Sequence, residues 1–416
     1  MSLQVVSWIV VALAVLGVVA RPFKWPEAIW AVAGAVIVVS IGGLQWRDAV
    51  EAVGKGTDVY LFLIGMMLLS ELGRREGLFD WIAAIAVNHA HGSPKRLFIL
   101  VYLIGIVTTT FLSNDATAVV MTPAVFAVAR KADAKPLPLL FICAFIANAA
   151  SFVLPISNPA NLVMYDGHLP ALLPWIERFG LAALIAIVVT FGCLYATQRR
   201  ALAGECARSV EVPSLSVGGR VALVAIAVTA VVLLAASALR IELGAPTAVM
   251  GVLAVVAVLV RNREGPLPIL REVSWSVLPL VAGLFVLVEV LLKTGVVDLL
   301  ARQLSALASR GVQDGAWTAS LLTALASNVA NNLPVGLLAS ATMAQADVPS
   351  RIVDATLVGV DLGPNLSITG SLATILWLQA VRREGEDVGF VSFLRIGVVV
   401  MVPALLLSLA ALLAFG

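Results

Sequence analysis

Apolar residues run along this chain in stretches of about 20, separated by short polar turns, the pattern of helices that cross a hydrocarbon core of about 30 Å. The runs and their breaks predict ten full spans, near 3 to 20, 25 to 44, 58 to 73, 136 to 171, 175 to 198, 219 to 239, 244 to 261, 274 to 292, 351 to 381 and 391 to 415. Two regions, 78 to 130 and 296 to 345, fit this scheme poorly. Each holds a helix of moderate hydrophobicity followed by two short apolar arms that meet at a polar tip. In the first, Phe79, Trp81, Ile82, Ile85 and Ala86 alternate with Asp80, Asn88, His89 and His91, which suits a helix lying in the interface. The arms 97 to 112 and 116 to 129 are each about 15 residues, roughly 22 Å of helix, enough to pass the midplane and return. Their tip is Ser113-Asn114-Asp115; in the second region the arms 315 to 326 and 330 to 345 meet at Ser327-Asn328.

The halves repeat. Gly65, Glu71, Gly77 and Asp80 match Gly283, Glu289, Gly295 and Asp298 at a constant offset of 218, and the two tips follow at an offset of 214. Arg199, Arg200, Arg208 and Arg220 place the loop 199 to 220 in the cytoplasm, and counting outward puts both termini outside with most of the 27 lysines and arginines inside. Five spans lie on each side of that loop, so corresponding spans run in opposite directions. The expected fold is an all-α membrane protein of about ten transmembrane helices plus two re-entrant hairpins in two inverted-topology repeats. Residues 1 to 200 form the first repeat, with a cytoplasm-facing hairpin 96 to 130; 201 to 218 form a cytoplasmic loop; 219 to 416 form the second, with an outward-facing hairpin 314 to 345.

Composition agrees with this pattern and narrows the function. The 416 residues are 61% hydrophobic and 12% charged, against about a quarter charged in a soluble domain. Mean hydropathy is +1.02. A net charge of +2, spread over short loops, implies no nucleic-acid partner. The segment 3 to 20 lacks a preceding basic stretch and is followed by Arg21 and Lys24, which reads as a first span rather than a signal peptide. Cys143, Cys193 and Cys206 form no CxxC motif and read as structural; His89, His91 and His168 lack metal-site spacing. No metal site and no cofactor is expected. GxSxG, HExxH and Walker A stretches are absent, so an enzyme is not expected and energy for transport must come from an ion gradient, the membrane potential or a separate ATPase.

Candidate chemistry sits where the apolar pattern is interrupted. Besides the two tips, proline, Asn and Ser break two long spans, at Leu154-Pro155-Ile156-Ser157-Asn158-Pro159-Ala160-Asn161 and at Asp361 to Ser371. Such breaks free carbonyls and half-helix N-termini at mid-depth, which lipid tolerates only where they line a cavity or a partner. Inverted repeats with interrupted helices build transporter sites in this way. The expected solute ligands are Ser113, Asn114, Asn158, Asn161, Ser327, Asn328, Asn331, Asn332, Asn365, Ser367, Thr369 and Ser371. A mid-membrane carboxylate is expensive unless it has a partner or lines water, so Asp115 at the tip is the first candidate for carrying a coupling proton and Asp361 the second. Glu71 and Glu289, near span ends, read as structural.

At these motifs the sequence resembles the ArsB family of arsenite and antimonite efflux permeases, within the ion transporter superfamily that also holds dicarboxylate and citrate carriers. The most specific stretch is Gly359 to Trp377, reading GVDLGPNLSITGSLATILW, supported by Phe111 to Val119, Ser157 to Asn161 and Ser327 to Pro334. The resemblance implies export of neutral trihydroxy arsenite or antimonite across a bacterial inner membrane in exchange for protons, sometimes with a soluble arsenical pump ATPase as partner. Silicic acid or a dicarboxylate is the alternative solute within the same superfamily.

Overall fold

The computed structural model describes residues 2–165, 169–239 and 241–416; His168 and Arg240 lie outside the described residues. The chain opens with α1 (Leu3–Ala20) and α2 (Glu27–Ser40), followed by α3 (Trp46–Lys55) and α4 (Thr57–Arg75). Next come α5 (Leu78–Ala90), α6 (Pro94–Phe111) and α7 (Asn114–Ala116), the last continuing through a π-turn at Thr117–Met121 into α8 (Thr122–Lys131). The first half ends with α9 (Pro136–Ala149), α10 (Pro159–Met164) and α11 (Leu172–Gln198).

The second half repeats that order. Its helices are α12 (Val217–Ala238), α13 (Gly244–Asn262), α14 (Leu267–Glu272), α15 (Val277–Lys293), α16 (Val296–Ala308), α17 (Val312–Ala330), α18 (Asn332–Ala346), α19 (Ser350–Leu362), α20 (Leu372–Arg383) and α21 (Phe390–Phe415). The described residues are nearly all helical. Five helices, α6, α11, α12, α13 and α21, are each long and apolar enough to cross a membrane; the bent pairs α3 with α4 (48°) and α15 with α16 (72°) raise the number to seven. The sequence pattern misses two short helices, α3 and α14, because their polar residues read as loop. In α3 the buried Ala49 and Ala52 lie on one face and exposed polar residues on the other, the period-3.6 signature of a helix lying along a surface.

Two packed bodies result. In one, α4 runs against α13, and α2 against α1 and α15. The backbones of α4 and α13 touch: a Cβ on Gly65 would lie 2.2 Å from the Thr247 carbonyl oxygen. The other body joins α6 to α9, α11 to α21, and α17 to α19. At the last of these contacts a Cβ on Gly359 would meet the Ser320 carbonyl oxygen at 2.2 Å. Small residues that let backbones approach are the usual currency of helix packing in lipid, where burial of apolar surface supplies little net drive. The polar breaks sit in the second body and face the seam between the two.

Candidate functional site

The first tip forms where α6 ends and Ser113 takes a φ of 138°, a value that few side-chain-bearing residues adopt. Its hydroxyl accepts from the Ala116 N–H (3.3 Å), and the Asn114 amide oxygen accepts from the Asp115 N–H (2.9 Å), so both side chains satisfy free donors of the returning arm. The second tip lies four residues beyond the Ser327-Asn328 expected for it. Helix α17 continues through both, with the Ser327 hydroxyl bonded back to the Thr323 carbonyl (2.8 Å). The chain reverses at Asn331, with φ 72°. Asn331 caps α18 through the Leu333 N–H (3.3 Å). Ser113 and Asn331 are 218 residues apart, so the tips obey the same offset as the rest of the repeat. The motif alone suggested 214 because Ser-Asn occurs at both places.

Each break grips the hairpin of its own half. Ser157 donates to the Thr110 carbonyl (3.0 Å), and Thr369 donates to the Asn328 carbonyl (2.9 Å). Thr110 and Asn328 are again 218 residues apart. In the second half the junction is denser: Ser367 donates to Asn328 Oδ1 (2.7 Å), Asn328 Nδ2 donates to the Gly363 carbonyl (2.9 Å), and the Asn332 N–H donates to the Gly370 carbonyl (2.9 Å). The two breaks also bond to each other across the repeats. Asn158 Nδ2 donates to Asp361 Oδ1 (2.8 Å), Asn148 Nδ2 to Asn365 Oδ1 (3.0 Å), and Asn365 Nδ2 to the Phe145 carbonyl (3.0 Å).

The twelve expected ligand positions therefore gather in one region, with different amounts of bonding capacity left. Asn161 spends its amide nitrogen on the carbonyls of Ser151, Leu154 and Pro155, and Ser371 spends its hydroxyl in a capping box with Thr374. Buried acceptors without a partner remain at Asn148 Oδ1, Asn161 Oδ1 and Asp361 Oδ2. Asp361 is fully buried at the crossing of the two broken helices, a more central place than the sequence suggested. Thr109, Thr110, Asn148 and Ser151 were missed. Each lies in or just after an apolar helical run without proline beside it, and only its distance of a few residues from a break could have pointed to it.

Two cavities open on the seam. One, of about 70 Å³, is lined by Met66, Ser70 and Glu71 of α4, by Ser113 and Asp115 of the first tip, and by Val277 and Leu372. The other, of about 520 Å³, is lined by Asp58 and Val59 of α4, Val288 and Glu289 of α15, Leu162 before the end of α10, and Leu337 of α18. The first cavity meets the C-terminal half of α4 and the start of α15, the second the start of α4 and the C-terminal half of α15. These two equivalent helices therefore run in opposite directions, and the cavities lie at opposite ends of the seam. Glu71 and Glu289 each face a base: Arg74 grips Glu71 with two bonds (2.5 and 2.9 Å), and Lys55 meets Glu289 at 2.9 Å. No lysine or arginine is buried among the described residues. The cysteines stay apart, and the described residues hold no cluster of metal-ligating side chains.

Comparison with known proteins agrees with this architecture. The profile of the family described as citrate transporter matches residues 3–360. An arsenical pump membrane protein of Escherichia coli strain K12 is 27% identical over 398 residues, 91% of each chain. One of Yersinia enterocolitica is 27% identical over 361 residues, 84% of each chain. An uncharacterized transporter of Mycobacterium tuberculosis is 27% identical over 407 residues, covering 92% of this chain and 91% of that one. Among solved structures, the YdaH transporter of Alcanivorax borkumensis, described as having an unusual topology, shares the fold at a TM-score of 0.58, 15% identity and 87% coverage of each chain. With its profile match running through both halves, this chain belongs to the citrate transporter family of membrane transport proteins.

Proposed function

We propose that the chain exports trivalent arsenite and antimonite, as neutral trihydroxy species, from the cytoplasm of a bacterium across its inner membrane in exchange for protons. The observation that carries this reading is the junction's chemistry. Asn, Ser and Thr side chains and freed carbonyls supply donors and acceptors, two carboxylates stand among them, and among the described residues no buried lysine or arginine offers a counter-charge to an anion. A small uncharged solute with three hydroxyls can be held by such groups without paying the desolvation cost of a charge, which is several kcal/mol per ion. The relatives named arsenical pump membrane proteins support the same solute.

In this reading the halves are inverted repeats. The hairpin 96 to 130 enters from the cytoplasm and the hairpin 314 to 345 from outside, the loop 201 to 218 lies in the cytoplasm, and both termini lie outside. The solute occupies the space between the tips and the breaks, reached in turn through the two seam cavities. Asp115 faces the smaller cavity beside Ser113 and takes up a proton as the solute leaves; Asp361 is its partner at the crossing. A soluble arsenical pump ATPase is a further partner. In everted vesicles the protein should concentrate arsenite on a proton gradient, and Asp115→Asn should reduce the rate by about a hundredfold, the scale of losing a proton-transfer group. Wild-type accumulation by that variant would remove Asp115 from the mechanism.

A second reading, transport of citrate or a related carboxylate, is favoured by the family profile and by the N-terminus of α20, the positive end of its helix dipole, which suits an anion. Competition separates the two: antimonite should displace bound arsenite and citrate should not.

A further inference from the structure

Asp354 lies on α19 seven residues before Asp361. Seven residues are two turns, so the carboxylates stand on one face of the helix about 10 Å apart along its axis. Both are buried, at 4% and 0% exposure. The facing segment is spaced in the same way and runs in the opposite direction. Asn158 donates to Asp361 Oδ1, and Tyr165, seven residues further on, donates its hydroxyl to Asp354 Oδ1. Two rungs thus join the segment around α10 to α19, one at each carboxylate.

The ends of this ladder differ. At the Asp354 end Arg178 of α11 brings Nη1 to 3.6 Å from Asp354 Oδ2, with its side chain 37% exposed. At the other end Asp361 Oδ2 is buried without a hydrogen-bond partner. Among the described residues, the elements packed on α19 bury no other charge beside Asp354: α9, α10 and α18 carry no charged side chain, and Glu177 of α11, Asp314 of α17 and Arg395 of α21 are exposed. Arg351, on the same helix, donates to the Gly416 carbonyl (2.6 Å). A carboxylate buried only to form a half-exposed ion pair contributes little stability, since its desolvation offsets the attraction. Alignment with a second buried carboxylate gives it another use.

We propose that Asp354 is a proton relay between the surface at Arg178 and Asp361. This rests on the proton-coupled reading above, in whose orientation Arg178 faces the outside. A proton arriving from outside binds Asp354, which then releases Arg178. It passes by way of the Tyr165 hydroxyl and intervening water to the free Oδ2 of Asp361, and Asp354 returns to its carboxylate form paired with Arg178. Arrival of the proton at Asp361 accompanies release of the solute to the outside, and the proton leaves toward the cytoplasm when the emptied site turns inward, so one proton enters and one leaves.

The test uses the full chain in proteoliposomes, as wild type, Asp354→Asn, Asp354→Glu and Tyr165→Phe. Arsenite exchange without a pH gradient, accumulation driven by an imposed gradient, and the protonated-carboxyl band in infrared spectra taken at acid and alkaline pH are measured together. Asp354→Asn should keep exchange near the wild-type rate, lose driven accumulation about a hundredfold and weaken the infrared band, with Asp354→Glu restoring part of both. Tyr165→Phe should slow accumulation and leave exchange intact. Equal loss of exchange and accumulation in Asp354→Asn with a lowered melting temperature, or wild-type accumulation in it, overturns the proposal. If wild type itself builds no arsenite gradient, the arsenite reading fails, and the infrared band decides alone: its weakening in Asp354→Asn supports the relay, its persistence refutes it.

Discussion

Asn328 shows what one polar residue does beside a broken helix in this protein. Its amide nitrogen donates to the carbonyls of Ala324 and Gly363, its amide oxygen accepts from Ser367, and its main-chain carbonyl accepts from Thr369. One side chain thereby satisfies a carbonyl released by the break at Gly363 and orients a hydroxyl in the junction. Interhelical hydrogen bonds in lipid average about 0.6 kcal/mol each, so removing these side-chain bonds through Asn328→Ala should cost on the order of 2 kcal/mol. The melting midpoint in detergent measures that cost. Asn328→Asp keeps the acceptor for Ser367 and loses the donor to Gly363, so it should bind solute less weakly than the alanine variant. The residue types of the junction were legible in the sequence because Asn and Ser stand out in an apolar span. Their division of labour was not, since Ser371, spent in its capping box, looks the same in one dimension as Asn161, which keeps a free acceptor.

At the scale of elements, close backbone contact holds the second hairpin to its broken helix. A Cβ on Gly359 would lie 2.2 Å from the Ser320 carbonyl oxygen and 2.7 Å from Thr323 Oγ1, and one on Gly363 would lie 2.5 Å from the Ala324 Cα. Backbone atoms cannot rotate away, so Gly359→Ala must push α17 from α19, at a cost above the usual 1–3 kcal/mol or so of overpacking. We expect low yield of folded protein and lost transport. Gly54→Ala on α3, where a Cβ meets nothing within 4 Å, should be neutral or stabilising by up to about 1 kcal/mol, and yields on gel filtration compare the two. The helix order was legible from apolar runs. The second tip was misplaced because the Ser327 and Asn328 side chains bond back to the Thr323 and Ala324 carbonyls and stay in α17, which runs to Ala330, and a motif match does not record where a backbone turns. Helices α3 and α14 escaped notice since a six- to ten-residue surface helix shows too few turns to establish a period.

For the whole molecule, the seam is the place where motion must occur if solute is to meet one cavity and then the other. Helices α4 and α15 border both cavities from one body, while the first tip, α10, α18 and the start of α20 border them from the other. The cavities differ in volume, about 520 Å³ against about 70 Å³, as they would if one end of the seam were open and the other closed. Sliding or rocking of one body against the other would exchange them, and the ion pairs of the repeat-related Glu71 and Glu289, with Arg74 and Lys55, would then alternate between solvent and contact. A reversible cross-link across the seam tests this directly. In a chain whose Cys143, Cys193 and Cys206 are replaced by Ala, Met67→Cys on α4 and Val119→Cys beside the first tip would be joined by a bifunctional, reducible thiol reagent. Transport should fall to background while the link holds and return after reduction and wash-out. The same reagent between cysteines on α4 and α13, within one body, should leave transport unchanged, because those helices stay packed through the cycle. Full transport with the α4-to-tip link intact would mean that the two bodies do not move against each other, and solute would then have to pass through a fixed junction.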